Sequence, residues 1–434
     1  MIPDVVVVGT GLAGLSAAVR AAEGGARVLV LAKGVGATHL AGGTIDVLGY
    51  APDRVERPGE AVARLVADRP AHPYAAVGPE GIGAAIDWFK ARMASGPLAP
   101  YGYRGSLDEN LLLPSAVGAA RPSAVVPETM AGGDLRAGAR LCVVGFRTLR
   151  DFHPALLADS VSRAVDGVEA RAVELDLAPP DGRPDANALG YGRALDDPGF
   201  RARLVGRLAG RLGADERVAL PAVLGSADPH AVWSDLERRL GRPVFEVPTL
   251  PPSVPGMRVF TTLRDALRRA GGRLILNAVV TGAERDGARA TGVRTRVGLR
   301  EVVHRAGWFV LATGGVATGG IALDAGWEAR ETALGLPVAG APGPGAERFR
   351  PGYFDDHPLS EIGVAVDREL RPVDGNGERI FDNVLVAGAT LAGAAPWREK
   401  SGDGISLATG HRAGELVTGA ASARPAVAAA AGRP

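Results

Sequence analysis

The sequence predicts an α/β fold built on a Rossmann-like domain. Three observations predict it: a glycine turn between an apolar strand and an amphipathic helix at the start, two buried-type strands ending in glycine turns in the last third, and a long stretch of different texture between them. With 434 residues the chain has room for two or three domains. Its composition, 46% hydrophobic and 22% charged, is that of a globular protein and excludes a disordered or fibrous one.

The elements follow in order. Val5 to Val8 is an apolar run ending at Gly9, Leu12 to Glu23 carries apolar residues at helical spacing, and Arg27 to Ala32 is a second apolar run. These read as one βαβ unit with parallel strands and a right-handed crossover. The proline- and arginine-rich middle holds helix candidates at Gly81 to Ala94, Pro154 to Ala164, Phe200 to Leu212 and Ala231 to Leu240, and a strand at Leu141 to Val144. It reads as an inserted α+β cap-like domain over 76–257. Pro248 to Pro255, with prolines at 248, 251, 252 and 255, is the extended hinge leading back. Leu263, Ala266 and Leu267 mark a helix, Arg273 to Leu276 a strand, and Val279 to Arg296 a hairpin around Asp286-Gly287 that opens a β-meander. Trp308 to Ala312 and Val384 to Gly388 are the late strands, and Gly404 to Thr418 is a closing helix. The main domain is thus discontinuous, 1–75 and 258–420, and 421–434 reads as a disordered tail of small residues.

Charge and cysteine content narrow the function classes. The 49 basic and 48 acidic side chains leave a net charge of +1, so nothing points to nucleic acid. A single cysteine, Cys142, sits in an apolar run and can form neither an intramolecular disulfide nor a four-thiolate iron–sulfur site; no metal site is expected. No apolar run approaches the roughly 18 residues that span a bilayer, and the start lacks a basic signal region. The expected location is cytoplasmic.

The chemistry begins at Gly9-Thr10-Gly11-Leu12-Ala13-Gly14, a G-x-G-x-x-G between strand and helix. Gly9 permits the tight turn, Gly11 lets backbone approach a phosphate, and Gly14 lets the helix pack on the strand. The acid that usually follows the second strand and binds a ribose is absent, and Lys33 stands there instead. Three later stretches favour a flavin: Ala312-Thr313-Gly314-Gly315 after a strand, Asp382 to Gly388, and Ser401-Gly402-Asp403-Gly404 opening a helix whose amino end suits the reduced ring. The expected cofactor contacts are Gly9, Gly11, Leu12, Ala13, Gly14, Lys33, Gly42, Gly43, Thr313, Gly314, Gly315, Gly388, Gly404 and Ile405.

The order GTGLAGL, AKG with THLAGGTIDVL, PTLPPSVPGMR, LATGG and DNVLVAGATLAG resembles the flavoprotein B subunit of bacterial anaerobic glycerol-3-phosphate dehydrogenase over about Ile2 to Leu416. Thr38 to Leu48 and Pro248 to Arg258 discriminate best, because the glycine motifs are shared with fumarate reductase and succinate dehydrogenase flavoproteins. The resemblance implies oxidation of sn-glycerol 3-phosphate to dihydroxyacetone phosphate, with electrons passing to a membrane quinone in anaerobic respiration with fumarate or nitrate. It implies an FAD-containing A subunit, FMN in the B subunit, and an iron–sulfur C subunit that anchors the complex to the inner face of the membrane. The glycine motif, whose usual ligand is a pyrophosphate, keeps FAD as the alternative.

Removing hydride from a secondary alcohol needs a base, cations for the phosphate and a flavin within reach. His39, in the glycine loop after the second strand, is the candidate base or, alternatively, a covalent flavin attachment point. Arg398 and Lys400 are candidates to hold phosphate or the flavin's N1 side, and Asp46 and His357 are further candidates that could equally be turn residues. Two other functions stay open: a self-sufficient oxidoreductase of fumarate reductase type, and a structural subunit with a vestigial fold, suggested by Lys33 and Ala389.

Overall fold

The computed structural model describes residues 2–422 apart from 181, 183–184, 298–299 and 353–354. Its central sheet is five-stranded and parallel, in the order Arg273–Ile275, Val28–Leu31, Val5–Val8, Trp308–Leu311 and Val384–Val386. All four residues of the middle strand are buried, as a strand covered on both faces requires. Val5 lies between Val28 and Trp308, so the first strand and its glycine turn occupy the middle of the sheet.

Helices Leu12–Glu23 and Gly402–Ser422 pack on each other, and the antiparallel strands Val279–Asp286, Arg289–Val297 and Arg300–Arg305 form the meander. The third meander strand is the part that the hairpin pattern left out. Ala421 and Ser422, expected in the tail, end the closing helix, and 423–434 lie outside the described residues.

The inserted region differs from expectation in extent and in order. Helix Gly78–Ala94 buries Ile82, Ile86, Phe89 and Met93 in the same core as the five-stranded sheet, so the second core begins only near Leu112. That core surrounds a four-stranded sheet that is entirely parallel, in the order Val168–Leu175, Ala139–Phe146, Glu216–Pro221 and Val244–Val247. Among the described residues between 95 and 253, antiparallel strand pairing is confined to the short pairs Tyr103–Gly105 with Val125–Pro127 and Leu111–Pro114 with Ala120–Ser123.

The two cores are joined at helix Val254–Arg269. Ser253 caps it, its Oγ accepting from the Gly256 N–H at 3.1 Å while donating to the Ala41 carbonyl at 2.6 Å. The cap therefore also fixes the glycine loop of the first domain. One turn on, Arg258 donates to both oxygens of Glu246 at 2.7 and 3.0 Å, and to the Leu224 and Gly225 carbonyls. Both side chains are fully buried, and Thr129 completes the carboxylate's shell at 2.6 Å. A charge this deep is tolerable because its donors are almost all matched.

Candidate active site

The glycine turn forms a cradle. Gly9 has φ +115°, and a Cβ there would lie 2.1 Å from the Ala312 carbonyl oxygen; one on Gly14 would lie 2.1 Å from that of Gly9. Gly11 is different, because an added Cβ meets no atom within 4 Å. The space over Gly11 lies at the amino end of helix Leu12–Glu23, with Leu12 and Ala13 buried behind it. The following loop closes the cradle: the Thr10 hydroxyl donates to the Gly34 carbonyl at 2.6 Å, and Lys33 is exposed past the end of strand Val28–Leu31.

The late glycine turns complete it. Gly314 is held by the Thr390 hydroxyl at 3.0 Å, Gly315 packs against the Ala389 backbone, and the Gly388 N–H donates to the Thr409 hydroxyl at 2.9 Å. The Thr313 hydroxyl is buried with no partner. Open space at a helix amino end and an unsatisfied hydroxyl fit a phosphate-bearing nucleotide. At the second helix end, the N–H groups of Gly404 and Ile405 are taken by the Asp46 and Ser401 carbonyls. Those of Gly402 and Asp403 have no acceptor among the described residues and are the ones left for a ligand.

Beside the cradle lies a charged cluster drawn from three segments. Lys400 Nζ donates to Asp46 Oδ2 at 2.8 Å, and Arg121 Nη1 approaches the same oxygen at 3.8 Å. Burial alone would raise the Asp46 carboxyl, but Lys400 and Arg121 outweigh it and hold it at about 2. Burial, opposed by Asp46, lowers the Lys400 ammonium. Asp403 moves the other way, pushed up to about 7 by burial and then by the Asp46 charge. Arg121 reaches this place from strand Ala120–Ser123, and its Nε and Nη2 are buried without acceptors. It lies against Gly42, as does Pro248 from the second domain.

Lys400 is presented in the left-handed region, φ +50°, a conformation that costs on the order of 1 kcal/mol for a residue with a side chain. Its neighbour holds it there. Glu399 is buried and bonded to His72 at 3.2 Å, Ser401 Oγ at 2.8 Å and Arg69 at 3.1 Å.

The structure does not bring His39 and Arg398 together. The His39 ring stands edge-on to Phe260 at 4.6 Å, and its Nε2 is buried with no partner. Burial and then the Arg264 charge lower its pKa, so it is neutral near pH 7. Arg398 pairs with Asp356, and His357 stacks on Trp397 at 5.8 Å, which joins two candidate segments at the rim. The sequence reasoning missed Arg121 entirely and assigned Asp403 no role. No group of metal-binding side chains occurs among the described residues.

Fold and site together define a nucleotide-binding α/β protein whose cradle adjoins a buried cationic cluster. The sequence profile of the family described as FAD binding domain matches residues 4–405. The chain is 34% identical to the B subunit of a probable anaerobic glycerol-3-phosphate dehydrogenase from Halobacterium salinarum, over 95% of this chain and 96% of that one. It is 30% identical to the B subunit of the anaerobic glycerol-3-phosphate dehydrogenase from Pectobacterium carotovorum, over 95% and 98%. A solved flavocytochrome c3 fumarate reductase is similar at 11% identity and a TM-score of 0.45, over 96% of this chain and 78% of that one. The chain belongs to the FAD-binding flavoproteins and, within them, to the family of anaerobic glycerol-3-phosphate dehydrogenase B subunits.

Proposed function

We propose that this chain binds FAD and oxidises sn-glycerol 3-phosphate to dihydroxyacetone phosphate as one subunit of a larger complex. The observation that carries the reading is the Arg121 guanidinium, whose Nη1 lies against Gly42 and whose Nε and Nη2 have no acceptor, with Lys400 beside it, next to a nucleotide cradle. Such a pair suits an anion such as the substrate's phosphate. When bound, the flavin supplies a two-electron acceptor. The chain's own residues hold the anion, keep the glycine loop in place through Ser253, and shield the loop with Pro248.

FAD, rather than the FMN that the resemblance implied, is the cofactor proposed. The G-x-G-x-x-G turn with open space over Gly11 suits a pyrophosphate, and the matching family is described by FAD. Lys33 offers no acceptor to a ribose, so the adenosine half must be held by other groups.

Cys142 is buried and is the only cysteine in the sequence, so onward transfer through an iron–sulfur group belongs to another chain. We assign that role to the membrane-anchoring C subunit, with the A subunit the second flavoprotein and a membrane quinone the acceptor. No helix among the described residues is long and apolar enough to cross a membrane. In this reading contact with the inner face of the membrane goes through the anchoring partner.

The test is to purify the chain freed of its partners, release the chromophore with acid and identify it by chromatography. The flavin is then followed under anaerobic conditions with glycerol 3-phosphate and with glycerol. FAD and bleaching by the phosphate ester alone are expected. FMN would overturn the cofactor assignment, and bleaching by both alcohols alike would overturn the role of Arg121 and Lys400.

A further inference from the structure

We propose that Asp403 is the catalytic base, the group that takes the hydroxyl proton of the alcohol substrate; this rests on the reading of the site as one for flavin-linked alcohol oxidation. A base must be unoccupied, open to the crevice and held beside the cations that bind the substrate. Asp403 stands in the first turn of helix Gly402–Ser422, three residues after Lys400, where the charges of Asp46, Lys400 and Arg121 act on it. It is half-buried, and among the described residues its carboxylate takes no hydrogen bond, only the charges of Asp46, Lys400 and Arg121 acting on it.

The other candidates at the site are occupied or turned away. Asp46 is bonded to Lys400, Glu399 to His72, Ser401 and Arg69, and Asp356 is paired with Arg398. The His39 ring faces Phe260, on helix Val254–Arg269. The Tyr74 hydroxyl donates to the Val47 carbonyl at 2.7 Å and the Tyr103 hydroxyl to the Gly43 carbonyl at 2.8 Å, and burial holds both phenols neutral.

Burial and three charged groups act on Asp403, and the buried Tyr74 and Tyr103 phenols are neutral neighbours. Asp46 from the glycine loop raises its pKa, while Lys400 from the preceding turn and Arg121 from strand Ala120–Ser123 lower it. Burial is the largest influence, and the balance leaves the carboxyl at about 7, where it is a far stronger base than Asp46 at about 2. In the step, the O–H bond breaks and its proton goes to the Asp403 carboxylate. A bound flavin would be the two-electron acceptor: the carbon-bound hydrogen would pass to it with its electron pair as the C–O bond becomes a carbonyl, and the Asp403 proton would return to solvent.

The experiment uses the flavin-loaded chain in its complex. Bleaching by glycerol 3-phosphate is followed by anaerobic stopped flow from about pH 5 to about pH 9, a window that brackets the rising limb. For the unaltered protein, the rate is expected to rise through about pH 7 and level off. Asp403→Asn should slow bleaching by about 100-fold or more and abolish that limb, with flavin content and KM retained. Asp46→Asn removes the like charge and should move the limb down by about one pH unit. Independently of turnover, a protonated-carboxyl infrared band that titrates near 7 should be missing from Asp403→Asn. A retained limb in Asp403→Asn, or no shift in Asp46→Asn, overturns the assignment. An unaltered protein that glycerol 3-phosphate fails to bleach at any pH overturns the substrate reading itself and this role with it.

Discussion

Replacing Gly11 with leucine should empty the nucleotide cradle while sparing the fold. The two outer glycines of the motif cannot report on binding alone. Gly9 is in the left-handed region against the Ala312 backbone, and Gly14 packs against Gly9, so a side chain at either distorts the sheet. Gly11 has φ −64° and ψ 177°, which any residue adopts, and its missing side chain faces space free of atoms to 4 Å. The apoprotein should therefore change in stability by no more than about 1 kcal/mol, the usual worth of a helix-cap substitution. Losing one charge-assisted phosphate contact costs about 1.5–3 kcal/mol, so flavin should bind roughly 10- to 150-fold more weakly. The assay is the ratio of flavin to protein absorbance with increasing added FAD, beside the thermal midpoint of the flavin-free protein. Unchanged flavin affinity would refute the placement of the cradle. A collapsed midpoint would refute the claim that Gly11 serves the ligand and not the fold.

Three further outcomes are expected. Arg258→Ala leaves the Glu246 charge buried alone and should destabilise by about 3–5 kcal/mol in denaturant titrations, whereas Arg258→Met with Glu246→Leu should recover much of the loss. Arg121→Gln should raise the KM for glycerol 3-phosphate roughly 10- to 150-fold and weaken inhibition by inorganic phosphate in steady-state assays, with flavin content unchanged. Stability should also depend on pH with opposite signs at the two aspartates. Asp46, folded at about 2, stabilises above its unfolded pKa, and that stability is lost as pH falls from about 4 to 2. Asp403, folded at about 7, binds its proton more tightly than the unfolded chain, so stability falls as pH rises from about 4 to 7. Calorimetry of Asp403→Asn should accordingly show a gain over the unaltered protein at pH 8 that shrinks toward pH 4.

The central sheet was readable because each of its strands obeys local rules. Val5–Val8, Trp308–Leu311 and Val384–Val386 are continuous apolar runs that end in glycine, the pattern of strands covered on both faces. The second sheet was legible only at Leu141 to Val144, because two of the strands around it break that pattern. Val168–Leu175 is an edge strand in which Glu169, Arg171 and Glu174 are exposed, and Glu216–Pro221 opens with two charged residues before its buried half. Helix Gly78–Ala94, expected over Gly81 to Ala94 within the insert, packs on the first core, since an apolar face says that a helix packs but not against what. The site divides in the same way. The glycine turns follow from backbone geometry and are local, whereas the Arg121, Asp46 and Lys400 cluster comes from segments about 75 and 280 residues apart, with nothing in the short runs around them to announce the meeting.

The second sheet also bears on how many nucleotides the chain can hold. Its order reverses between Ala139–Phe146 and Glu216–Pro221, and in open α/β sheets such a reversal leaves a crevice at the carboxyl ends where cofactors bind. Here helix Ala188–Asp196 fills it. Tyr191 stacks on Phe146 at 4.4 Å, its hydroxyl meets Thr148 at 2.6 Å and donates to the Leu177 carbonyl at 2.9 Å, and a Cβ on Gly192 would lie 2.7 Å from the Ser226 hydroxyl. Those carboxyl ends instead send Pro248 to Ser253 over the glycine loop of the first domain. Thus the parallel sheet of the insert acts as a wall for the first site rather than as a second one. A single flavin per chain is the consequence, and a flavin-to-protein ratio near two would show that helix Ala188–Asp196 does not close that crevice.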